Sequence, residues 1–281
     1  MANHLRWMGG KSRTAKWIVS HFPERRTCYV EPFCGACHVL FAKPALPKES
    51  EVINDADGDL INLFRIFRYH PEYLQQEMHY LLHSREEFYR AREWHGVTDI
   101  QRAASFLMLI RNSFGGILRG TPSFGHSIVC NNSNGLPLSK IKNIITAFRE
   151  RLDKVIVENL DFADAIRRYD SADTLFYCDP PYINTSQYRL PFTMDDHRHL
   201  ADCLSKIKGM ALVSLNDCAV ARELYAGWSV KTKKVKYFVN GIKTDSALPR
   251  QELLFLNNAA TKRLGENIQG VLGEGSYEEG A

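Results

Sequence analysis

The sequence predicts an α/β fold: a mostly parallel sheet with helices on both faces, interrupted by an inserted, mostly helical subdomain. Three observations carry that expectation. Short apolar runs that suit buried strands alternate with amphipathic stretches early and late in the chain. From Gly58 to about Ser113 the apolar spacing is helical throughout. Residues 113–139 are then rich in Gly, Ser, Asn and Pro, and long loops in compact proteins are usually functional or disordered.

Arg13–His21 reads as a helix ahead of Pro23. Thr27–Pro32 (TCYVEP) is a short buried strand, and Cys37–Ala42 begins the helix behind it. Glu51–Asp55 (EVIND) is a second strand. In the middle block Leu60, Leu63, Phe64 and Phe67 share a helical face, and Ser139–Leu152 returns to helix. Thr174–Cys178 (TLFYC) and Met210–Leu215 (MALVSL) are two more strands. Between them a helix runs from Met194 to Lys208, with Thr193 as N-cap and Gly209 as stop. Trp228–Val239 and Gln251–Leu256, joined through Asn240-Gly241, read as an antiparallel pair at the sheet edge. Residues 1–57 and 155–258 then form one discontinuous domain, 58–154 the insert, and 259–281 a tail expected to be disordered, since five Gly and four Glu follow Thr261.

Composition narrows the function. With 281 residues, 44% apolar and 24% charged, the chain has ordinary globular usage. No apolar run approaches the roughly 18–20 residues of a membrane helix, and Met1–Trp17 carries charges and glycines where a signal peptide needs an apolar core. Seven scattered cysteines do not resemble a disulfide framework, so a reducing cytoplasm is expected. Net charge is only +4, but its distribution is uneven. Between Asp99 and Glu150 there is no acid, where average usage gives about five or six. Arg102, Arg111, Arg119, Lys140, Lys142 and Arg149 all lie in that stretch, which points to a polyanion-facing surface.

The strongest motif is Asp179-Pro180-Pro181-Tyr182, directly after the strand TLFYC. Ligands of open α/β sheets bind outside the carboxyl ends of strands. The prolines fix φ and remove competing N–H groups, leaving the Pro180 carbonyl and the Asp179 carboxylate as acceptors beside the Tyr182 ring. Together they form a slot for a flat ring bearing an exocyclic amine. A second motif, Glu31-Pro32-Phe33-Cys34-Gly35-Ala36-Cys37, turns the first strand into its helix, and Gly35 permits close backbone approach. Asp55 ends the next strand twenty residues after Gly35, the spacing at which an acid takes nucleoside ribose hydroxyls. The pyrophosphate fingerprint G-x-G-x-x-G is absent, and Glu31 would repel a phosphate and attract an ammonium or sulfonium.

Several look-alikes fail. Cys34-Gly-Ala-Cys37 has redox spacing, but buried cysteines packing a tight turn are the simpler role. Gly9-Gly10-Lys11-Ser12 lacks both the earlier glycine and the strand of a P-loop. No metal-ligand cluster, H-E-x-x-H, G-x-S-x-G or Pro-Cys dipeptide occurs. His126, His197 and His199 lie among polar neighbours and suit surface or structural roles.

Taken together, Trp7-Met-Gly-Gly-Lys11, Glu31-Pro-Phe-Cys-Gly35, Asn54-Asp55 and Asp179-Pro-Pro-Tyr182 resemble the Dam-type (D12 class) DNA adenine-N6 methyltransferases in content and order, from about Leu5 to Leu256. The resemblance implies a Rossmann-like S-adenosylmethionine-dependent methyltransferase sheet with an inserted target-recognition subdomain. It implies S-adenosyl-L-methionine as cofactor, S-adenosyl-L-homocysteine as product, no metal, double-stranded DNA as partner, and no membrane or obligate protein partner. By resemblance, Trp7, Lys11, Glu31, Phe33, Gly35, Asp55 and Phe162 would line the cofactor site, and Asp179 would lie near both cofactor and target amine. Arg111-Asn-Ser-Phe114-Gly-Gly-Ile-Leu-Arg119 looks like the DNA-contacting loop, with Phe114 inserting into the duplex and Arg119 reading a base. Arg6, Arg111, Lys140 and Lys142 would hold phosphates. Two positions depart from the family: its second turn glycine is Cys37, and its Asn after the inserted aromatic is Gly115. The expected reaction is methylation of a flipped-out adenine at N6, at GATC or a related short site. Alternatives that stay open are an N6-adenine or N4-cytosine methyltransferase on another nucleic acid, and a DNA-binding relative without catalysis.

Overall fold

Runs rich in β-branched and aromatic residues, apolar on both faces, build the centre of a seven-stranded sheet. The computed structural model describes residues 5–113, 118–125, 138–183, 188–235 and 250–265. The strands are β1 (Cys28–Glu31), β2 (Ser50–Asn54), β3 (Val155–Glu158), β4 (Thr174–Cys178), β5 (Met210–Asn216), β6 (Ser229–Val235) and β7 (Arg250–Leu256). Their order is β3-β2-β1-β4-β5-β7-β6. The first five are parallel, and β7 inserts antiparallel between β5 and β6. The late pair is therefore antiparallel as expected, but only β6 is the edge. Strand β3 was not foreseen. It is four residues long and half-exposed, with Ile156 44% exposed, so it lacks the apolar density of the other parallel strands.

The sheet alternates its side chains between two apolar clusters. Tyr29, Ile53, Leu175, Tyr177, Leu212 and Leu254 face one, with helices α1 (Ala15–Val19), α2 (His38–Ala42), α3 (Gly58–Tyr69), α4 (Pro71–Tyr80), α6 (Asp99–Asn112) and α7 (Leu138–Arg151). Val30, Val52, Phe176, Val213 and Phe255 face the other, with α8 (Phe162–Tyr169), α9 (Met194–Ser205) and α10 (Ala219–Leu224). Helix α5 (Arg85–Glu93) packs on α6 through Phe88. Helices α3, α4, α6 and α7, which lie between β2 and β3 in the chain, bury Phe64, Leu74, Leu107 and Phe148 in the same cluster as the sheet.

Local chemistry explains where elements stop. Thr193 caps α9 with a reciprocal Asp196 capping box. The helix ends at Ser205, short of Lys208, because the backbone N–H groups of Lys208 and Gly209 instead donate to the Asp170 carboxylate at 3.0 Å. The first helix is shorter than Arg13–His21, since residues 11–14 form turns closed by Thr14 N–H to the Lys11 carbonyl. Residues 258–265 are helical, with Ala260 buried and Leu264 packed on the core. That corrects the expected onset of disorder at the tail; residues 266–281 lie outside the described set. No helix among the described residues is long and apolar enough to cross a membrane.

A buried charge cluster ties the insert to the sheet. Glu51 on β2 accepts two bonds from Arg151 of α7, at 2.6 and 2.7 Å, and lies 2.6 Å from Lys43 Nζ. Lys43 and Arg26 both pair with Glu49. Burial pushes the Glu51 carboxyl up, but Arg151 and Lys43 outweigh it and hold the group below its usual range. Removing one partner from such a cluster strands the other charges. Glu51→Ala should therefore cost about 3–5 kcal/mol in urea unfolding at neutral pH. Because a depressed carboxylate stabilises above its unfolded value and loses that as pH falls through its folded value, the gap to wild type should narrow in acid.

Candidate active site

Strand order reverses between β1, which leads to β2, and β4, which leads to β5, and a cleft opens at that switch point. Its volume is about 230 Å3, and its floor comes from the residues following β1, β2, β3 and β4: Phe33 and Gly35, Asp55 and Asp57, Asp161 and Phe162, Asp179 and Pro181. Trp7 and Gly9 close one wall. Tyr188, Arg189 and Phe192, in the segment before α9, form another.

Backbone demands fix the glycine turn. Gly35 has φ +45°, and a Cβ there would sit 2.7 Å from Trp7 Nε1. Gly9, at φ +72°, meets Tyr188 in the same way. Cys37, at the place of the expected second glycine, N-caps α2 with φ +57°, so this thiol residue adopts the left-handed backbone a glycine would take without strain. Asp55 Oδ2 accepts the Gly35 N–H at 3.0 Å, and Oδ1 accepts that of Asp57 at 3.0 Å. Asn54 Nδ2 donates to the Pro32 and Leu160 carbonyls, clamping the ends of three strands together. Burial pushes Asp55 up to about 6, partly offset by its two backbone donors.

Three aromatic rings line one end. Phe33 stacks on Phe162 at 5.4 Å between centroids, and Phe192 meets Phe33 edge-on at 5.6 Å. Behind them His197 is buried, and desolvation lowers its pKa against a smaller opposing effect of Asp196, so it packs as a neutral ring.

The DPPY segment is built around buried charge. Lys11 is 5% exposed, and its ammonium lies 2.6 Å from Asp179 Oδ1 and 3.5 Å from a carboxylate oxygen of Glu252 on β7. It also sits 4.6 Å above the Tyr182 ring, whose hydroxyl donates to Glu252. Burial pushes Asp179 up to about 6; Lys11 opposes this and Glu252 adds to it. Glu31 is 2% exposed and accepts the Tyr29 hydroxyl at 2.7 Å. Burial drives it up to about 8.

A model of the D12 class N6 adenine-specific DNA methyltransferases matches residues 7–239. The chain belongs to that family. It is similar to the Type II methyltransferase M1.LlaDCHI of Lactococcus lactis subsp. cremoris, 26% identical with 90% of this chain and 94% of the relative covered. It is also 28% identical to the retron Ec67 DNA adenine methylase of Escherichia coli, covering 92% of each chain. The DNA adenine methylase of Haemophilus influenzae is 27% identical over 83% of this chain and 85% of its own. The mostly parallel seven-stranded sheet agrees with the Rossmann-like methyltransferase fold that the motifs implied.

Of the expected cofactor residues of this methyltransferase, Trp7, Phe33, Gly35, Asp55, Phe162 and Asp179 line the cleft. Lys11 and Glu31 are not among its lining residues; Lys11 reaches the lining through Asp179 and through the Gly9 carbonyl, to which it donates at 3.2 Å. Pro181 lines it, whereas Pro180 and Tyr182 do not. On the nucleic-acid side, Arg6 and Arg119 are exposed, and Lys140 and Lys142 project from α7. Arg111 is half-buried, its pKa lowered by desolvation and then by the charge of Arg6, which places two of the basic candidates side by side. Phe114 lies outside the described residues. The acid-free stretch is less basic in space than in sequence, since Arg102 pairs with Asp99 and Arg149 with Glu72. Among the described residues no group of three or more His, Cys, Asp or Glu could hold a metal. Sequence reasoning missed Asp57, Tyr188, Arg189, Phe192 and Glu252; none stands in a recognisable motif, and only the aromatic content of the segment before Thr193 hinted at the wall.

Gly35→Ala should cost about 1–2 kcal/mol in urea unfolding, from left-handed strain and from pushing against Trp7; unchanged stability would contradict the close packing described. Desolvation raises the pKa of both Cys34 and Cys37, so both remain thiols at neutral pH. Cys34→Ser should keep activity within roughly three-fold of wild type, consistent with a packing role.

Proposed function

We propose that this protein transfers the methyl group of S-adenosyl-L-methionine to N6 of an adenine flipped out of double-stranded DNA, at GATC or a related short site. The observation that carries this reading is Asp179, a half-buried carboxylate at the carboxyl end of β4 that borders the cleft and is held by Lys11. The cleft's donor set suits the cofactor. Phe33, Phe162 and Phe192 offer apolar faces for an adenine, and Asp55 offers acceptors for ribose hydroxyls, since each of its carboxylate oxygens takes one backbone N–H and keeps a second lone pair. Five acids, Asp55, Asp57, Asp161, Asp179 and Asp196, border the cleft, which disfavours a pyrophosphate and favours a cation. When bound, S-adenosyl-L-methionine supplies an electrophilic methyl on a sulfonium and leaves as S-adenosyl-L-homocysteine.

The target amine is a poor nucleophile because its lone pair is delocalised into the ring. Asp179 and the Pro180 carbonyl accept its two N–H bonds, which favours a pyramidal nitrogen with its lone pair free for attack. The Asp179 carboxylate then takes the proton that N6 sheds. Preorganised acceptors and positioning supply the rate, with no covalent enzyme intermediate. Tyr182 packs against the base with the ring face not taken by Lys11. A base inside a duplex is beyond reach, so it is extruded, and Phe114 fills the vacated stack. Arg119 reads a guanine edge. Arg6, Arg111, Lys140 and Lys142 hold phosphates, giving steep weakening with salt.

Asp179→Ala should lower labelled-methyl transfer to duplex DNA by more than about 1000-fold while DNA affinity stays within a few-fold. Nucleoside digestion of the wild-type product should yield N6-methyladenine from DNA and none from RNA. An N4-methylcytosine product, or an active Asp179→Ala, would sink this reading. Since Asp179 acts as the base form, the acid limb of kcat/KM, which reports the free enzyme, should fall near pH 6.

A further inference from the structure

Glu252 lies on β7, 70 residues beyond Tyr182, and has no counterpart among the motifs that define the site. Its side chain is 1% exposed. A carboxylate so buried is costly unless its lone pairs and charge are met. Among the described residues the Tyr182 hydroxyl, which donates to Glu252, and the Lys11 ammonium at 3.5 Å meet it. Lys11 in turn lies 4.6 Å over the Tyr182 ring and 2.6 Å from Asp179. The contacts close on themselves, with Glu252 fixing both the far end of the tyrosine ring and the cation that competes for Asp179.

We infer that Glu252 is a positioning residue for methyl transfer, holding Tyr182 in the orientation that receives the target base and sharing Lys11 so that Asp179 remains available as an acceptor. The inference rests on the proposed roles of Asp179 and Tyr182 and adds a third element to them. Sequence placement supports it. β7 runs antiparallel beside β5, with Glu252 opposite Asn216, and this brings a residue from the chain's last strand to the end of β5 nearest the site. The other groups that face Asp179 are Glu31 of β1 and Tyr177 and Cys178 of β4, and Tyr188 faces Lys11. Of the acids facing Asp179, Glu252 is the one in salt-bridge contact with Lys11.

Three variants separate the two tasks. Glu252→Gln keeps an acceptor for the Tyr182 hydroxyl but removes the charge. Glu252→Ala removes both, and Tyr182→Phe removes only the hydroxyl contact. Two readouts apply: the acid limb of kcat/KM, and the fluorescence rise when a duplex carrying 2-aminopurine at the target position is bound without cofactor. Loss of a neighbouring negative charge lowers the Asp179 pKa, so Glu252→Gln should move the acid limb to lower pH and keep the fluorescence response. Tyr182→Phe should weaken the fluorescence response and leave the limb in place. Glu252→Ala should do both and lower kcat up to about 100-fold. Melting curves identify any variant that has lost its fold, and Glu252→Gln, being isosteric, carries the test in that case. If Asp179→Ala is inactive but the limb of Glu252→Gln does not move and Glu252→Ala retains the fluorescence response, the role of Glu252 is overturned while the proposed reaction stands. An active Asp179→Ala would instead overturn the reaction on which this role rests.

Discussion

Asp179 follows a strand buried on both faces, and the Lys11 ammonium 2.6 Å away offsets the cost of placing a carboxylate there. Neither charge is tolerable alone: Lys11 is 5% exposed and Asp179 is driven up to about 6 even with the cation beside it. The N-terminal segment that carries Lys11 must therefore cross the top of the sheet. That crossing explains the tight glycines, since Gly9 and Gly35 are the places where the segment, the first turn and the wall at Tyr188 touch without room for a Cβ. It also explains why Trp7 arrives in the cleft wall.

The same end of the sheet is bordered by five acids, Asp55, Asp57, Asp161, Asp179 and Asp196. An acid-lined cavity at the helix-and-strand ends is unsuited to the phosphate ligands that many sheets of this topology hold. Burial shifts the carboxyls of both Asp55, in the cleft, and Glu31, at the end of β1, upward.

Much of this was legible in the sequence, because backbone-determined features leave local marks. TLFYC is strand β4 residue for residue, Thr193 is the cap of α9, and Gly35 and Asp55, twenty residues apart, are joined by a hydrogen bond of 3.0 Å. What escaped is non-local. Glu252 reads as one acid in an ordinary strand, and only the insertion of β7 next to β5 brings it to Lys11 and Tyr182. Arg189 reads as a loop residue, yet it bridges Asp57 and Asp59 at the start of α3 and lies over Phe106 of α6, linking the wall of the cleft to the helical insert. The charge pattern of the insert was overstated for the same reason: Glu72, far away in sequence, neutralises Arg149 in space.

The most direct measurement is a crystal structure of the protein with S-adenosyl-L-homocysteine and a duplex holding the target adenine. The cofactor should lie between Trp7, Asp55 and Phe162, and the extruded adenine should place N6 within hydrogen-bond distance of the Asp179 carboxylate and the Pro180 carbonyl. An adenine that stays stacked in the duplex, or a cofactor bound away from the end of β4, would contradict this placement.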